Sequence, residues 1–218
     1  MLNIAVLVSG GGTNLQALLD AQASGALHSG RITLVVSSKA GAYALTRAQQ
    51  AGVSAATLTR EAGEPPEWYG ERLVRLLKAH DIALVVLAGF LPILAGNVIA
   101  AYPGRIINIH PSLIPSFCGA GYYGLKVHQA ALEKGVKVTG ATVHLVDEIP
   151  DNGRILMQQA VMVLEGDTPE TLQQRVMEQA EWTLLRQATE RMAQSLLARQ
   201  AEMGQGAMPL VGFGAKPQ

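Results

Sequence analysis

Short runs that are apolar at every position alternate along the chain with stretches in which apolar residues recur every three or four positions. Residues 4–8 form the first such run and read as a strand buried on both faces. Residues 14–23 follow with Leu15, Leu18 and Leu19 on one helical face. Residues 32–36 predict a second strand, and residues 43–51 a helix closed by Gly52. A weak strand at 55–58 precedes a helix over 67–79, and residues 84–88 and 106–109 read as core strands around a short helical stretch near Val98. Residues 126–134 predict a helix ended by Gly135, and residues 138–146 and 155–163 two longer strands. The polar segment between those strands, with Pro150 and Gly153, predicts a loop. Thr168-Pro169-Glu170 is a helix start with a hydroxyl cap, proline in the first turn and an early acid, and that helix is expected to run to about Gln200.

This alternation predicts a single α/β domain over residues 1–200, built on a mainly parallel, doubly wound sheet with a Rossmann-like N-terminal half. A tail over residues 201–218, rich in glycine from Gly204 onward, is expected to be mobile. In such sheets ligands bind beyond the carboxyl ends of the strands, so chemistry is sought there.

Two segments stand at such positions. Ser9-Gly10-Gly11-Gly12-Thr13-Asn14 joins the first strand to the first helix. Glycines let backbone N–H groups close on an anion, and the helix start adds partial positive charge. The turn suits a phosphate monoester, although taken alone it equally describes a tight connection with no ligand. It matches neither the dinucleotide fingerprint nor the lysine-bearing phosphate loop. Asn108 and His110 lie two apart in a strand that Pro111 ends, so both face one side and could donate to a developing oxyanion. The acidic loop from Asp147 to Asp151 offers a carboxylate that, if near, would raise the His110 pKa and hold an imidazolium.

Five segments in this order and spacing, SGGGTNLQ (9–16), LAGFL (87–91), NIHPSLIP (108–115), VTGATVH (138–144) and VDEIPDNG (146–153), resemble the phosphoribosylglycinamide formyltransferases, folate-dependent enzymes of purine biosynthesis. The resemblance spans residues 1–190. It implies transfer of the formyl group of 10-formyltetrahydrofolate to the amine of glycinamide ribonucleotide, with no metal. It implies a catalytic set of Asn108, His110 and Asp151, a phosphate loop at Gly12, Thr13 and Asn14, and a ribose contact from Glu181, whose alignment requires one extra residue upstream. It also implies a folate pocket lined by Leu91, Pro92, Ile93, Leu94, Asn108, Asp147, Glu148, Ile149, Pro150 and Asp151. The family often carries a basic residue where Pro92 stands.

Composition narrows the alternatives. Net charge is zero, so no broad nucleic-acid or anionic-membrane footprint is expected. No apolar run reaches membrane-spanning length, and nothing at the N-terminus reads as a secretory leader, which makes the cytoplasm the expected location and a monomer or homodimer the expected state. The single cysteine, Cys118, excludes an intrachain disulfide and has no paired base in the sequence. His28 and His80 read as solvated, His128 and His144 as structural, Trp68 and Trp182 as packing residues, and Glu71, Arg72 and Arg75 as a solvated helix face. Two other readings remain open: a formyltetrahydrofolate hydrolase, and a non-catalytic phosphometabolite-binding module.

Overall fold

A computed structural model describes residues 1–205. In chain order the elements are β1 (Leu2–Val8), α1 (Thr13–Ala23), β2 (Gly30–Ser37), α2 (Tyr43–Gln50), β3 (Ser54–Thr57), α3 (Pro66–Ala79), β4 (Ile82–Leu87), α4 (Gly96–Ala101), β5 (Ile106–His110), α5 (Leu125–Lys134), β6 (Val138–Leu145), β7 (Ile155–Met162), α6 (Pro169–Val176), a π turn (Met177–Glu181) and α7 (Trp182–Gln205). The strands form one seven-stranded sheet of order β3-β2-β1-β4-β5-β6-β7. The first five are parallel, whereas β6 and β7 pair antiparallel.

The apolar runs are explained by two cores, one on each face of the sheet. Ile4, Val6 and Val8 of β1 face a core that includes Leu15 and Leu18 of α1 and Leu184, Leu185 and Ala188 of α7. Ala5 and Leu7 face the other side, with Leu73 and Leu77 of α3 and Val98 of α4. Buried Glu190 ties α7 to the β1–β2 connection by accepting from the N–H groups of His28 and Ser29 and from the Ser29 hydroxyl. His28, although mostly exposed, has its Nε2 3.1 Å from the same carboxylate.

Several expectations are corrected. Trp68 is 64% exposed rather than packed, because it lies in the first turn of α3 on the side away from Leu73 and Leu77. Arg72 is not simply solvated: its Nη1 donates to Glu64 Oε1 at 2.7 Å, anchoring the loop before α3. The long C-terminal helix starts at Pro169 with a reciprocal Thr168–Thr171 capping box, is widened at the π turn, and continues to Gln205. The expectation of a mobile tail falls, from residue 206 onward, outside the described residues.

The loop after β6 returns to β7 through Gly153. A Cβ there would fall on the backbone carbonyl of Leu145, a collision no rotamer change relieves. Gly153→Ala is expected to cost about 1–3 kcal/mol of stability, read as a lower urea midpoint at unchanged slope.

Candidate active site

Strand order reverses between β1 and β4: β2 and β3 lie beyond one, β5 beyond the other. At such a reversal the connections leave in opposite directions and open a crevice above the strand ends. Hydroxyls pin its rim. Leu91 N–H donates to Ser9 Oγ at 2.8 Å, and the Ser9 and Ser38 hydroxyls are 2.6 Å apart, so the chain leaving β1, β2 and β4 is stitched together.

A cavity of about 600 Å³ lies beside this crevice. Leu87, Leu91, Pro92, Ile93, Leu94, Val146, Ile149 and Pro150 give it apolar walls, and Asn108, His110, His144, Asp147, Asp151 and Glu181 give it polar ones. Among the described residues, no lysine or arginine lines it. Its volume lies within the range of small-molecule and cofactor sites, and the segments after β4 and β6 contribute to its lining. Glu148 is the one expected pocket residue that does not line it. It is exposed, with its carboxylate on the side of Gly96.

At one end of the cavity four side chains converge. His110 Nδ1 is 3.4 Å from Asp151 Oδ2, and His144 Nε2 is 3.5 Å from Asp151 Oδ1. Asn108 Nδ2 is 3.1 Å from His144 Nε2 and donates to Asp151 Oδ1 at 3.4 Å. His144 Nδ1 lies 2.8 Å from the Leu145 carbonyl, and its Nε2 faces both Asn108 Nδ2 and Asp151 Oδ1. Asp151 also accepts from Gly119 N–H at 2.8 Å and sits at φ 57°, a left-handed conformation uncommon outside glycine. His144 was expected to be purely structural. It pairs in register with Asn108 across β5 and β6, and that pairing, not a local motif, brings it to the site.

Burial dominates the protonation of this group. It pushes the His110 imidazole below its ordinary pKa; the Asp151 carboxylate and the Phe117 carbonyl pull upward without making up the difference. The expected resting imidazolium is therefore corrected to a neutral ring. Burial also works against the Asp151 carboxylate, but the His144 contact, the His110 ring and the Gly119 N–H outweigh it and hold the group below the usual carboxylate range. Fully buried His128, with both ring nitrogens unpartnered among the described residues, is pushed down to about 4 by desolvation and by its proximity to His110. The Cys118 thiol is pushed up, by burial first and then by Asp151, which disfavours the nucleophilic thiolate.

The glycine turn lies next to this cavity rather than in its wall. Gly12 caps α1 at φ 74°, and Gly10, Gly11 and Thr13 are exposed. Two contacts join turn and cavity: Asn14 Nδ2 donates to Glu181 Oε2 at 2.6 Å, and Thr13 Oγ1 lies 3.6 Å from Met177 Sδ. Glu181 ends the π turn. A π turn closes each hydrogen-bonded ring over one more residue than an α turn. Burial, opposed only by Asn14, raises the Glu181 carboxyl to about 7. Among the described residues, no group of three or more His, Cys, Asp or Glu is arranged to hold a metal ion, and no helix is long and apolar enough to cross a membrane.

Comparison with known proteins matches this arrangement to one family. A family model described as "Formyl transferase" covers residues 2–188. The phosphoribosylglycinamide formyltransferase of Escherichia coli (strain K12) is 40% identical over 178 residues, 82% of this chain and 81% of that protein. The chloroplastic phosphoribosylglycinamide formyltransferase of Arabidopsis thaliana is 39% identical over 175 residues, 80% of this chain but 60% of the plant protein. A trifunctional purine biosynthetic protein of Drosophila melanogaster is matched over only 13% of its length. The crystal structure of glycinamide ribonucleotide transformylase 1 from Symbiobacterium toebii superimposes with a TM-score of 0.84 at 42% identity, covering 89% of each chain. With the glycine turn, the Asn108–His110 strand end and the Asp151 loop in the places the sequence motifs put them, the chain belongs to the formyl transferase family.

Proposed function

We propose that this protein transfers the formyl group of 10-formyltetrahydrofolate to the amine of 5'-phosphoribosylglycinamide, in the cytoplasm, as a step of purine biosynthesis. The observation that carries the reading is the convergence of Asn108 and His110 on Asp151 at one end of an apolar cavity, one buried hydrogen bond away from a glycine turn.

The folate fits the cavity on two grounds. The apolar walls formed by Leu91, Ile93, Leu94 and Ile149 would hold its flat rings, and the peptide groups around Asp147 and Asp151 would meet its polar ring edges. When bound, it supplies an acyl carbon activated for attack by an amine. The substrate phosphate lies on Gly12 and Thr13, and Glu181 faces the ribose.

The chain's own groups then act as follows. Asn108 Nδ2 lies 3.1 Å from His144 Nε2 and makes only a 3.4 Å contact with Asp151. The amide group can turn as a unit to donate to an acyl oxygen as negative charge builds on it. The His110 Nε2 lies 2.9 Å from the Phe117 carbonyl, so both of its ring nitrogens face acceptors. A proton taken up by His110 is thus received into a site already shaped for it, with Asp151 as the counter-charge. The net effect would be to stabilise the oxyanion while the amine's nitrogen bonds to the formyl carbon; as the oxyanion collapses, the bond from that carbon to the donor nitrogen breaks, and the proton displaced from the amine is passed to the donor nitrogen.

Acceptor-dependent loss of the formyl donor, followed by absorbance with the formylated product identified by mass, is the direct test. Equal loss without acceptor would replace the reading with a hydrolase, and no loss in either case with a binding module. His110→Ala is expected to lower kcat by a hundredfold or more, about 3 kcal/mol of barrier, with the KM for the phosphorylated acceptor nearly unchanged. Wild-type turnover in that variant would remove His110 from the mechanism.

Glu181 gives the protein a pH-dependent stability. Its folded pKa is raised from 4.5 to about 7, so the folded state binds more protons than the unfolded chain between those values. Stability contributed by the protonated group is present below about 4.5 and is lost as pH rises through about 7. Ligand-free Glu181→Gln, which keeps an acceptor for Asn14, is expected to match the wild type at about pH 4 and exceed it at about pH 8.5, by on the order of 3 kcal/mol. Parallel unfolding curves at the two pH values decide it; an equal difference at both would exclude the linkage.

A further inference from the structure

The glycine turn contains no charged side chain, yet a cation reaches it from the neighbouring helix. Arg47 of α2 donates from Nε to the Gly11 carbonyl at 2.8 Å and from Nη1 to Gln16 Oε1 at 2.9 Å. Its guanidinium carbon lies 4.9 Å from the centre of the Tyr43 ring. It forms no ion pair with a carboxylate among the described residues. One turn earlier in α2, Ala44 N–H donates to the Gly10 carbonyl at 3.2 Å. The helix is packed hard against the turn: a Cβ on Gly12 would come within 2.7 Å of Ala44 Cβ.

These two bonds have a directional consequence. In a trans peptide the C=O and the N–H of the next residue point in opposite directions. Holding the Gly10 carbonyl on α2 turns the Gly11 N–H away from that helix, and holding the Gly11 carbonyl turns the Gly12 N–H the same way. Neither N–H has a protein partner among the described residues. Two successive amides aimed at one open side form an anion-binding concavity, and the start of α1 adds its partial positive charge there.

We propose that Arg47 is a positioning residue for the phosphate of the acceptor, holding the Gly11 carbonyl on α2 so that the Gly12 N–H faces the anion. The inference rests on the proposed function, which puts a phosphate monoester at this turn. The uncompensated guanidinium charge favours the same anion at longer range, but the orienting bond is what sets the geometry.

The bond and the charge can be separated. A glutamine side chain carries its Nε2 the same number of bonds from the backbone as an arginine carries its Nε. Arg47→Gln therefore keeps a donor for Gly11 and removes the charge, whereas Arg47→Ala removes both. Nitrogen-15-labelled protein is titrated with ribose 5-phosphate and, separately, with ribose, following the Gly11 and Gly12 amide resonances. The wild type is expected to bind ribose 5-phosphate and not ribose. Arg47→Ala is expected to weaken ribose 5-phosphate binding about tenfold, and Arg47→Gln by less than about threefold, with unfolding midpoints of both close to the wild type. A wild type that does not discriminate the phosphate would overturn the phosphate reading of the turn, and this proposal with it. A discriminating wild type with unaltered binding in Arg47→Ala, or equal weakening in the two variants, would overturn the role of Arg47 alone.

Discussion

A carboxylate taken largely out of water keeps its charge only if donors replace the lost hydration. Asp151 meets that condition by drawing on four groups from three parts of the chain: Asn108 and His110 on β5, His144 on β6 and the Gly119 N–H in the long loop before α5. Three of the four lie more than thirty residues from it in sequence. The loop that carries Asp151 must therefore bend back over the strand ends, and the left-handed backbone at Asp151 together with Gly153 against the Leu145 carbonyl provides that bend. The sheet's departure from parallel pairing supplies one of these groups. Because β6 runs antiparallel to β5, its last residues lie beside the first half of β5, and the penultimate one, His144, meets Asn108.

The two halves of the site are coupled through few atoms. Ser9 closes the end of β1, accepts from Leu91 after β4 and meets Ser38 after β2. Asn14 then reaches from the first turn of α1 to Glu181 at the cavity wall. A displacement of the glycine turn is thus transmitted to the cavity by short, buried hydrogen bonds rather than by loop contacts. Buried bonds of this kind are costly to leave unmade, which keeps the glycine turn and the Asp151 end of the cavity at a fixed separation.

How much of this was legible in the sequence follows from the range of the interactions. The glycine turn, the end of β5 at Pro111 and the facing of Asn108 and His110 are local, and alternation with turn chemistry predicted them. The folate-side segments and Asp151 came from the resemblance to a family, since no spacing rule brings residue 151 to residue 110. His144 was missed because a histidine in an alternating strand looks the same whether it packs or bonds across the sheet. Only the antiparallel register of β5 with β6 distinguishes the two, and the sequence pattern was silent on that pairing. The neutral state of His110 was missed for a related reason: a neighbouring carboxylate can be anticipated from sequence, but the depth of burial that overrides it cannot.

Burial sets the ionisable groups of the cavity apart, and their division has chemical content. Asp151 is held ionised, Glu181 carries its proton to near neutrality, and His110 and His128 are kept neutral. The reacting end therefore holds one fixed negative charge and no fixed positive one. A negative acyl oxygen arriving there would be repelled unless a proton came with it, and His110 is the group whose two nitrogens both already face acceptors. In the proposed reaction, oxyanion formation and protonation of His110 would favour each other: the imidazolium, costly alone because it is buried, faces Asp151 on one side and the Phe117 carbonyl on the other, and the new negative charge nearby would add to that compensation. A permanently charged histidine would have stabilised the ground state as well as the transition state. One that acquires its charge as the oxygen does directs the stabilisation to the step that needs it.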